Sequence, residues 1–260
     1  MAGRRPVLAA WYEEHGRHQL PWRQTRDRWA VLVSEVMLHQ TQAPRVENAY
    51  PAFMAEFPTP AAMAAATPGD VIRAWGRLGY PRRARRLWEA ARHIAADGWP
   101  EDLRTLPGVG RYTAAAVAAE ADDADVPAVD VNVRRVVERV AGRRLTASEA
   151  EAEMVRVARP LRGRDRLLAL MDVGAVVCRP ASPRCTACPL QRRCAAQGPL
   201  PTEARPTPGP FEGSLRQRRG NVLARLRAGP TPAALLDADA LASLRRDGLA
   251  VVEGATARLP

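Results

Sequence analysis

Two acidic residues of the sequence stand in settings that would give their carboxyls different protonation states. Glu35 lies in a strongly apolar run that includes Val36 and Met37. A carboxyl kept partly from water has a raised pKa, as a general acid working near neutral pH requires. Asp130 precedes a run whose valines, beginning with Val133, share one helical face. Taken alone, Glu35 could equally lie on the polar edge of its helix, and an N-cap role is favoured for Asp130.

All four cysteines lie within seventeen residues, in the pattern Cys178-x6-Cys185-x2-Cys188-x5-Cys194. Thiolates crowded in this way predict a metal or iron–sulfur site. Zinc sites usually pair two Cys-x2-Cys or Cys/His knuckles, whereas here one Cys-x2-Cys is flanked by single cysteines with no histidine nearby. Zinc is therefore the less favoured metal. Disulfides are disfavoured because we expect the chain to be intracellular.

A glycine-containing turn, Leu106-Pro107-Gly108-Val109-Gly110, precedes an alanine-rich run that is typical of a helix. The two glycines permit a tight turn, and the unpaired backbone N–H groups at the start of the following helix can bind a phosphate. We interpret this segment as a helix–hairpin–helix that grips the DNA backbone. The alternative is an ordinary connection between two helices.

The composition favours a polyanionic partner. The 260 residues include 39 Lys+Arg against 28 Asp+Glu, which gives a formal net charge of +11, and such a charge suits nucleic acid. All 39 basic residues are arginine, so no lysine amine can form a Schiff base. Because no segment resembles a membrane span or a signal peptide, we expect a cytoplasmic, nucleoid-associated monomer with no membrane partner.

Hydrophobic periodicity and proline punctuation predict an all-α architecture up to Cys194, with no alternating strand. A stripe from Trp29 to Gln42 predicts a core helix, and Thr146 with Glu149 predicts a capping box. Further helices are predicted at about 44–56, 60–66, 68–78 and 81–97.

The sequence changes character after the cysteines. Residues 197–214 are rich in proline and glycine and predict an extended linker. Residues 215–260 then predict a basic helix, a second helix over 233–247 and a hairpin over 248–259. This order suits a small winged-helix-like module.

Several motifs together resemble a known family. The hairpin, the aspartate about twenty residues beyond it and the cysteine loop are similar to those of the helix–hairpin–helix DNA glycosylase superfamily, whose endonuclease III branch carries such a loop. The resemblance covers about residues 7–200, and the tail is similar to that of short actinobacterial members. Five further segments resemble the MutY-type adenine glycosylases within it: Leu20–Arg23, Ser34–Leu38, Gln40–Gln42, Gly76–Tyr80 and Met171–Ala175.

The resemblance implies a glycosylase core over residues 1–196, with the linker and the small module after it. Within the core, about 25–133 would form a six-helix-barrel lobe. About 1–24 and 134–196 would form an iron–sulfur lobe. The four cysteines Cys178, Cys185, Cys188 and Cys194 would hold a [4Fe–4S] cluster.

The resemblance also implies the reaction. Glu35 would protonate N7 of an adenine turned out of duplex DNA, where the adenine is mispaired with 8-oxoguanine or guanine. Asp130 would stabilise the oxocarbenium-like sugar, following the logic of two carboxyls in glycoside hydrolysis. Tyr112 stands where bifunctional relatives carry a lysine, so a monofunctional hydrolase without lyase activity is expected.

Two further sets of residues match positions of the family. The pocket for the extruded adenine would be formed by Trp22, Arg23, Leu38 and Asp172, with plain core packing an even alternative for Trp22, Leu38 and Leu78. The contacts with DNA would come from Gln40, Thr41, Leu78, Tyr80, Arg82, Arg83, Gly108, Val109 and Gly110.

The sequence departs from the family at three places. His39 stands where a glutamine is usual, and Pro81 replaces a second tyrosine. Nothing after the linker resembles the NUDIX-like domain with which most MutY proteins recognise 8-oxoguanine. Two rival functions are a thymine or uracil mismatch glycosylase on the same scaffold, and a non-catalytic DNA-binding protein.

Overall fold

The computed structural model describes residues 7–203 and 209–260. Between residues 7 and 203 it is helical, and no strand occurs in that range, which confirms the all-α prediction. The helices before the linker are α1 (Val7–His15), α2 (Arg28–Leu38), α3 (Ala43–Glu56), α4 (Pro60–Ala65), α5 (Pro68–Trp75), α6 (Arg82–Asp97), α7 (Arg111–Asp122), α8 (Val131–Ala141), α9 (Ala147–Ala158) and α10 (Gly163–Asp172).

Local side-chain chemistry sets several helix boundaries. The predicted capping box at Thr146 and Glu149 is confirmed, and Thr67 with Asp70 forms a second one at the start of α5. The core helix predicted to reach Gln42 ends instead at Leu38, because Gln40 adopts a left-handed backbone with φ 56°. Similarly, α5 stops at Trp75, since Gly76 turns out of the helix with φ 56°.

The chain folds into two compact units. The first unit comprises Met1–Glu35 and Val109–Arg205, and its core is formed by apolar side chains of α1 and of α7 to α10. One turn of π-helix, Val173–Val177, continues α10, and such turns are frequent at functional sites. The lobes predicted at about 25–133 and at 1–24 with 134–196 stay a prediction.

The second unit comprises Val36–Gly108 and Pro206–Pro260. The end of the chain packs against α5, where the Gly69 N–H donates to the Pro260 carbonyl at 2.7 Å. A Cβ on Gly69 would lie 2.4 Å from that oxygen, so only glycine fits there. Arg85 of α6 donates to the Asp247 carbonyl at 2.8 Å.

The predicted order of helix, helix and hairpin is found in residues 215–260. These elements are α11 (Leu215–Ala228), α12 (Ala238–Arg246) and the hairpin strands β2 (Val251–Glu253) and β3 (Thr256–Arg258). A short additional strand, β1 (Thr231–Pro232), completes an antiparallel sheet in the order β1–β3–β2. The second helix begins later than predicted because Asp237 caps it.

Of the predicted linker, residues 204–208 lie outside the described residues, and no helix or strand occurs in the described remainder, 197–203 and 209–214. Within the described parts of the chain, no helix is both long and apolar enough to cross a bilayer.

Candidate active site

Three helices of the first unit carry the predicted catalytic residues. Glu35 lies near the C-terminal end of α2 and is only 3% exposed. Tyr112 is the second residue of α7, which begins directly after Gly110. Burial raises the pKa of Tyr112, and the charges of Glu35 and Asp130 raise it further. The structure therefore brings the three predicted catalytic side chains within electrostatic reach of one another.

The surroundings of Glu35 raise the pKa of its carboxyl. It hydrogen-bonds with the Tyr112 hydroxyl and with the carboxyl of Glu120, a buried residue of α7. Burial raises the pKa of Glu35 well above its usual range, and the charges of Glu120 and Asp130 add to this effect, while the Tyr112 hydrogen bond opposes it. These influences favour the protonated form of Glu35, as a general acid requires.

Asp130 has a different environment, in which N–H groups face its oxygens. It caps α8, since its Oδ1 accepts a hydrogen bond from the Val133 N–H at 2.6 Å. Its Oδ2 accepts one from the Asn132 side-chain amide at 2.8 Å. Burial raises the pKa of Asp130, but these donors and the charge of Arg135 oppose the rise. Two carboxyls whose environments differ in this way can divide the roles of acid and charged stabiliser.

Asn132, which donates a hydrogen bond to Asp130, is itself held in place by its neighbours. The Asn132 amide oxygen accepts a hydrogen bond from Arg135 at 2.9 Å, and the same Arg135 nitrogen donates to the Gly174 carbonyl at 2.7 Å. A Cβ on Gly174 would approach the Asn132 Cβ to 2.7 Å. The glycine of the Met171–Ala175 segment is thus needed for close packing against the residue that orients Asp130.

The two charged residues of the predicted adenine pocket form a buried ion pair. Arg23 donates to Asp172 at 2.6 and 3.0 Å, and Arg17 donates to it through its side chain at 2.6 Å and its backbone at 3.0 Å. Burial alone would raise the pKa of Asp172, but the bonds and charges of Arg23 and Arg17 outweigh it and lower that pKa. Because four N–H donors occupy the two oxygens, Asp172 holds the arginines in place.

The remaining pocket residues differ in exposure. Trp22 is buried and Leu38 is half-buried. The Arg23 Nε, which is also buried, is one of few buried side-chain nitrogens in the described chain that lack a hydrogen-bond partner. Arg23 is therefore the residue of the predicted pocket that has an unused hydrogen-bond donor, its Nε–H.

Sequence reasoning missed two residues of this site. Glu120 is an acid within an alanine-rich helix, and nothing in the local pattern of α7 separates it from a solvated residue. Arg164 follows Gly163 at the start of α10 and is 7% exposed. Its nitrogens donate to the carbonyls of Glu120 and Arg23, each at 2.5 Å. Glu120 and Arg164 are recognised as part of the site only from their positions in the folded structure.

Two exposed residues of the second unit have left-handed backbones, Gln40 with φ 56° and Tyr80 with φ 47°. Such conformations cost energy for residues other than glycine and concentrate at functional sites. Both residues belong to the predicted DNA contacts, and their exposure is consistent with that role.

Three other predicted DNA contacts are engaged inside the second unit instead. Leu78 is 5% exposed and Thr41 is 8% exposed, and the Thr41 hydroxyl donates to the Leu78 carbonyl at 3.2 Å. Arg83 donates to the carbonyls of Val36 at 2.7 Å, Met37 at 3.0 Å and His39, and to the Thr41 hydroxyl at 2.9 Å. We therefore assign Arg83 to the free carbonyls at the end of α2. Arg82 is mostly exposed and lies 3.6 Å from Asp247, and its contact with phosphate stays a prediction.

The hairpin has the backbone that its glycines predict. Gly108 has φ 82°, and a Cβ there would meet the Arg86 Cβ at 2.9 Å. Gly110 caps α7, and a Cβ on it would meet open space, while Val109 between them is 7% exposed. The open space beside Gly110 is consistent with a phosphate bound at the start of α7.

All four cysteines line one small pocket in the first unit. Arg139 donates to the Cys178 Sγ at 3.4 Å, and the Gln197 N–H lies 3.4 Å from the Cys194 Sγ. No group of three His, Cys, Asp or Glu side chains in residues 7–203 and 209–260 has the arrangement needed to hold a metal ion. Four thiols around one cavity, with two N–H donors directed at sulfur, fit an iron–sulfur centre in their chemistry.

Comparison with known proteins agrees with this geometry. Residues 33–160 match the HhH-GPD superfamily of base excision DNA repair proteins. The chain is 46% identical over 238 residues to the adenine DNA glycosylase of Mycolicibacterium smegmatis, covering 86% of this chain and 80% of that protein. It is 34% identical over 202 residues to the thymine-DNA glycosylase of Aeropyrum pernix, covering 72% and 91%.

Among solved structures, a thermostable thymine-DNA glycosylase superposes with a TM-score of 0.65 at 28% identity, covering 74% of this chain and 93% of that one. Fold and site thus define a helical, DNA-binding glycosylase of base excision repair, a hydrolase. The chain belongs to the HhH-GPD superfamily and, within it, to the MutY-type adenine DNA glycosylases. The predicted helix–hairpin–helix glycosylase fold is confirmed.

Proposed function

We propose that this protein hydrolyses the N-glycosidic bond of adenine mispaired with 8-oxoguanine or guanine in duplex DNA. The observation that carries the proposal is the pair of carboxyls in unlike environments, with Glu35 buried and its pKa raised and Asp130 faced by N–H donors. A family of adenine glycosylases that matches most of the chain supports the choice of base.

The reaction begins when adenine leaves the base stack, because its glycosidic bond is out of reach inside the duplex. Gln40 and Tyr80 are the exposed side chains that we assign to the space it leaves, and Arg82, Gly108, Val109 and Gly110 bind the DNA backbone. The Arg23 Nε provides a hydrogen-bond donor for the base.

Glu35 then transfers its proton to N7 of the adenine, which weakens the bond to C1′. The developing positive charge on the sugar is stabilised by Asp130, held by the Val133 and Asn132 donors. Water completes the hydrolysis as adenine departs. Tyr112 lies beside Glu35, and because the chain contains no lysine, no side-chain amine attacks C1′. The enzyme is therefore monofunctional.

The residues Cys178, Cys185, Cys188 and Cys194 would hold a [4Fe–4S] cluster, which would tie this segment together without taking part in the hydrolysis. The protein acts as a monomer on DNA of the bacterial nucleoid. Its strong positive charge predicts that duplex binding weakens steeply with salt.

A thymine or uracil mismatch glycosylase is the second candidate, since a thymine-DNA glycosylase shares the scaffold. The protonated Glu35 favours a purine, because N7 is a basic atom that pyrimidines lack. The test is single-turnover release of adenine opposite 8-oxoguanine, guanine and cytosine, in parallel with release of thymine and uracil from G mispairs. We expect excision of adenine opposite 8-oxoguanine and guanine, and release of pyrimidines alone would refute the proposal.

A further inference from the structure

Glu120 is a buried acid for which the reaction described above has no use. It lies on α7 and is 2% exposed. Its carboxyl hydrogen-bonds with the carboxyl of Glu35. Burying an acid is unfavourable unless hydrogen bonds or charges compensate it, so a second carboxyl beside the first needs a physical reason.

Two arginines surround Glu120 and favour its ionised form. Burial raises the pKa of Glu120, and the charges of Arg23 and Arg164 oppose that rise. Both arginines are fixed, Arg23 by Asp172 at 2.6 and 3.0 Å, and Arg164 by the backbone carbonyls of Glu120 and Arg23 at 2.5 Å and of Thr25 at 3.0 Å. The positive charge beside Glu120 is therefore permanent.

A hydrogen bond between two carboxyls needs one proton, and the electrostatics decide which residue keeps it. Glu35 faces Glu120, Asp130 and the Tyr112 hydroxyl, and no positive charge is among the main influences on it. Glu120 faces Glu35, Asp172 and the two arginines. The carboxyl nearer the arginines ionises more readily, so Glu35 keeps the proton and Glu120 accepts the hydrogen bond.

We propose that Glu120 is a positioning residue for base excision: its buried carboxylate accepts a hydrogen bond from Glu35, fixes the orientation of that acid and keeps the proton on it. The inference rests on the proposed role of Glu35 as the proton donor. It extends that role, since it assigns the proton to one member of a buried pair.

The charge of Glu120 should affect the pH dependence of excision. A negative charge beside Glu35 raises the pKa of the acid, so Glu35 stays protonated to higher pH. Removing that charge lowers the pKa, and the fall of the excision rate on the alkaline side then begins at lower pH. A like charge in contact shifts a pKa by about one unit or more.

The experiment compares single-turnover excision of adenine opposite 8-oxoguanine across pH for wild type, Glu120→Gln and Glu120→Asp. We expect the alkaline limb of Glu120→Gln to move about one pH unit or more to lower pH. Glu120→Asp keeps the charge and should lie between the two. Glu138→Gln is the matched control, because Glu138 is equally buried but pairs with Arg134 at 3.2 Å and Arg144 at 3.1 Å.

An alkaline limb of Glu120→Gln that coincides with wild type, in a folded protein that binds duplex, would overturn the proposal. So would an equal shift in Glu138→Gln. If Glu120→Gln fails to fold, the proposal is tested by comparing infrared difference spectra of wild type and Glu35→Gln, which show which carboxyl is protonated. The band of a protonated carboxyl at neutral pH should disappear in Glu35→Gln, and its persistence would place the proton on Glu120. Failure of the proposed function is recognised separately, as full activity of Glu35→Gln.

Discussion

Two buried arginine–carboxylate pairs lie in the first unit, one at the catalytic carboxyls and one at the cysteines. Arg23 pairs with Asp172 at 2.6 Å, and Arg139 pairs with Glu203 at 2.7 Å. Both arginine side chains are almost fully buried. The chemistry of the two pairs is the same, so their neighbours determine what each pair does.

The Arg139–Glu203 pair fixes the path of the backbone around the cysteines. Its nitrogens also donate to the carbonyls of Arg179 and Pro180, each at 2.9 Å, and to the Cys178 sulfur. Glu203 in turn accepts the Leu200 N–H at 3.1 Å. This arginine therefore ties the start of the cysteine segment to residues beyond its end.

The Arg23–Asp172 pair instead fixes the position of a positive charge. Asp172 is fully buried and shared with Arg17, which fixes the Arg23 guanidinium where it acts on Glu120. Glu35, which hydrogen-bonds with Glu120, keeps the proton of that pair. The Arg23–Asp172 pair thus influences the protonation of the neighbouring acids, whereas the Arg139–Glu203 pair fixes the path of the backbone. Substitutions in the two regions should separate these two roles.

The largest effect is expected from Glu35→Gln, which removes the acid proton but keeps the shape of the side chain. A general acid contributes about 10² to 10⁴ in rate, so we expect single-turnover excision of adenine to fall about 10³-fold. Asp130→Asn should cause a similar loss. Duplex affinity, measured by fluorescence anisotropy, should stay near wild type in both, and near-normal turnover of either variant would contradict the assigned roles.

Cys188→Ser tests the cysteine region in the same two assays and should give the opposite result. The substitution would remove one ligand of the proposed [4Fe–4S] cluster, and with it the folding free energy that such a cluster supplies. We expect lower iron content, a lower melting temperature and at least about tenfold weaker duplex binding, because the arginines between Arg179 and Arg193 are further candidates for phosphate contacts. Unchanged duplex affinity after loss of iron would show that the cysteine segment does not shape the DNA-binding surface.

The sequence predicts those parts of the site that depend on local pattern. An apolar run around Glu35 and a helix start at Asp130 are visible in neighbouring residues, and the structure has the carboxyl buried and the cap in place. The glycines of the hairpin likewise imply the turn that they form. Family resemblance added the class of protein, which the comparisons confirm.

What the sequence could not predict depends on where a side chain points after the helices pack. Glu120 and Arg164 belong to the site only because α7 and α10 meet, and their sequence neighbours give no sign of it. Arg83 sits in a run of arginines that predicts phosphate contacts, yet it turns toward the carbonyls at the end of α2. Leu78 is buried, as the alternative of core packing predicts, and its contact with DNA stays a prediction.

Removing the acid of each ion pair should show how the two pairs differ in burial. Asp172→Asn leaves buried arginine charge unpaired, and the loss of one partner of a buried pair costs about 3 kcal/mol or more. Glu203 is 13% exposed on its side chain, so Glu203→Gln should cost about 1 kcal/mol. Chemical denaturation measures both. Asp239→Asn is the control, since this exposed residue should contribute under about 1 kcal/mol.

Stability as a function of pH should separate the two regions by the sign of their effects. Glu35 has a raised pKa in the folded state, so between its unfolded and folded pKa values the native protein binds more protons than the unfolded chain. Its contribution to the free energy of unfolding then falls as pH rises, by about 1.4 kcal/mol per pH unit. The glutamine side chain does not titrate, so Glu35→Gln should gain stability relative to wild type between mildly acidic and neutral pH.

Glu203 behaves in the opposite way, because its pKa is lowered, chiefly by the hydrogen bond from Arg139. Its stabilising contribution is fully present above its unfolded pKa and is lost only as pH falls through the folded value. The difference between Glu203→Gln and wild type should therefore be constant near neutral pH. Denaturation at several pH values checks both slopes, and a flat difference for Glu35→Gln would mean that the acid ionises normally. A catalytic acid kept neutral by burial should thus lower stability at working pH, whereas the pair beside the cysteines should not.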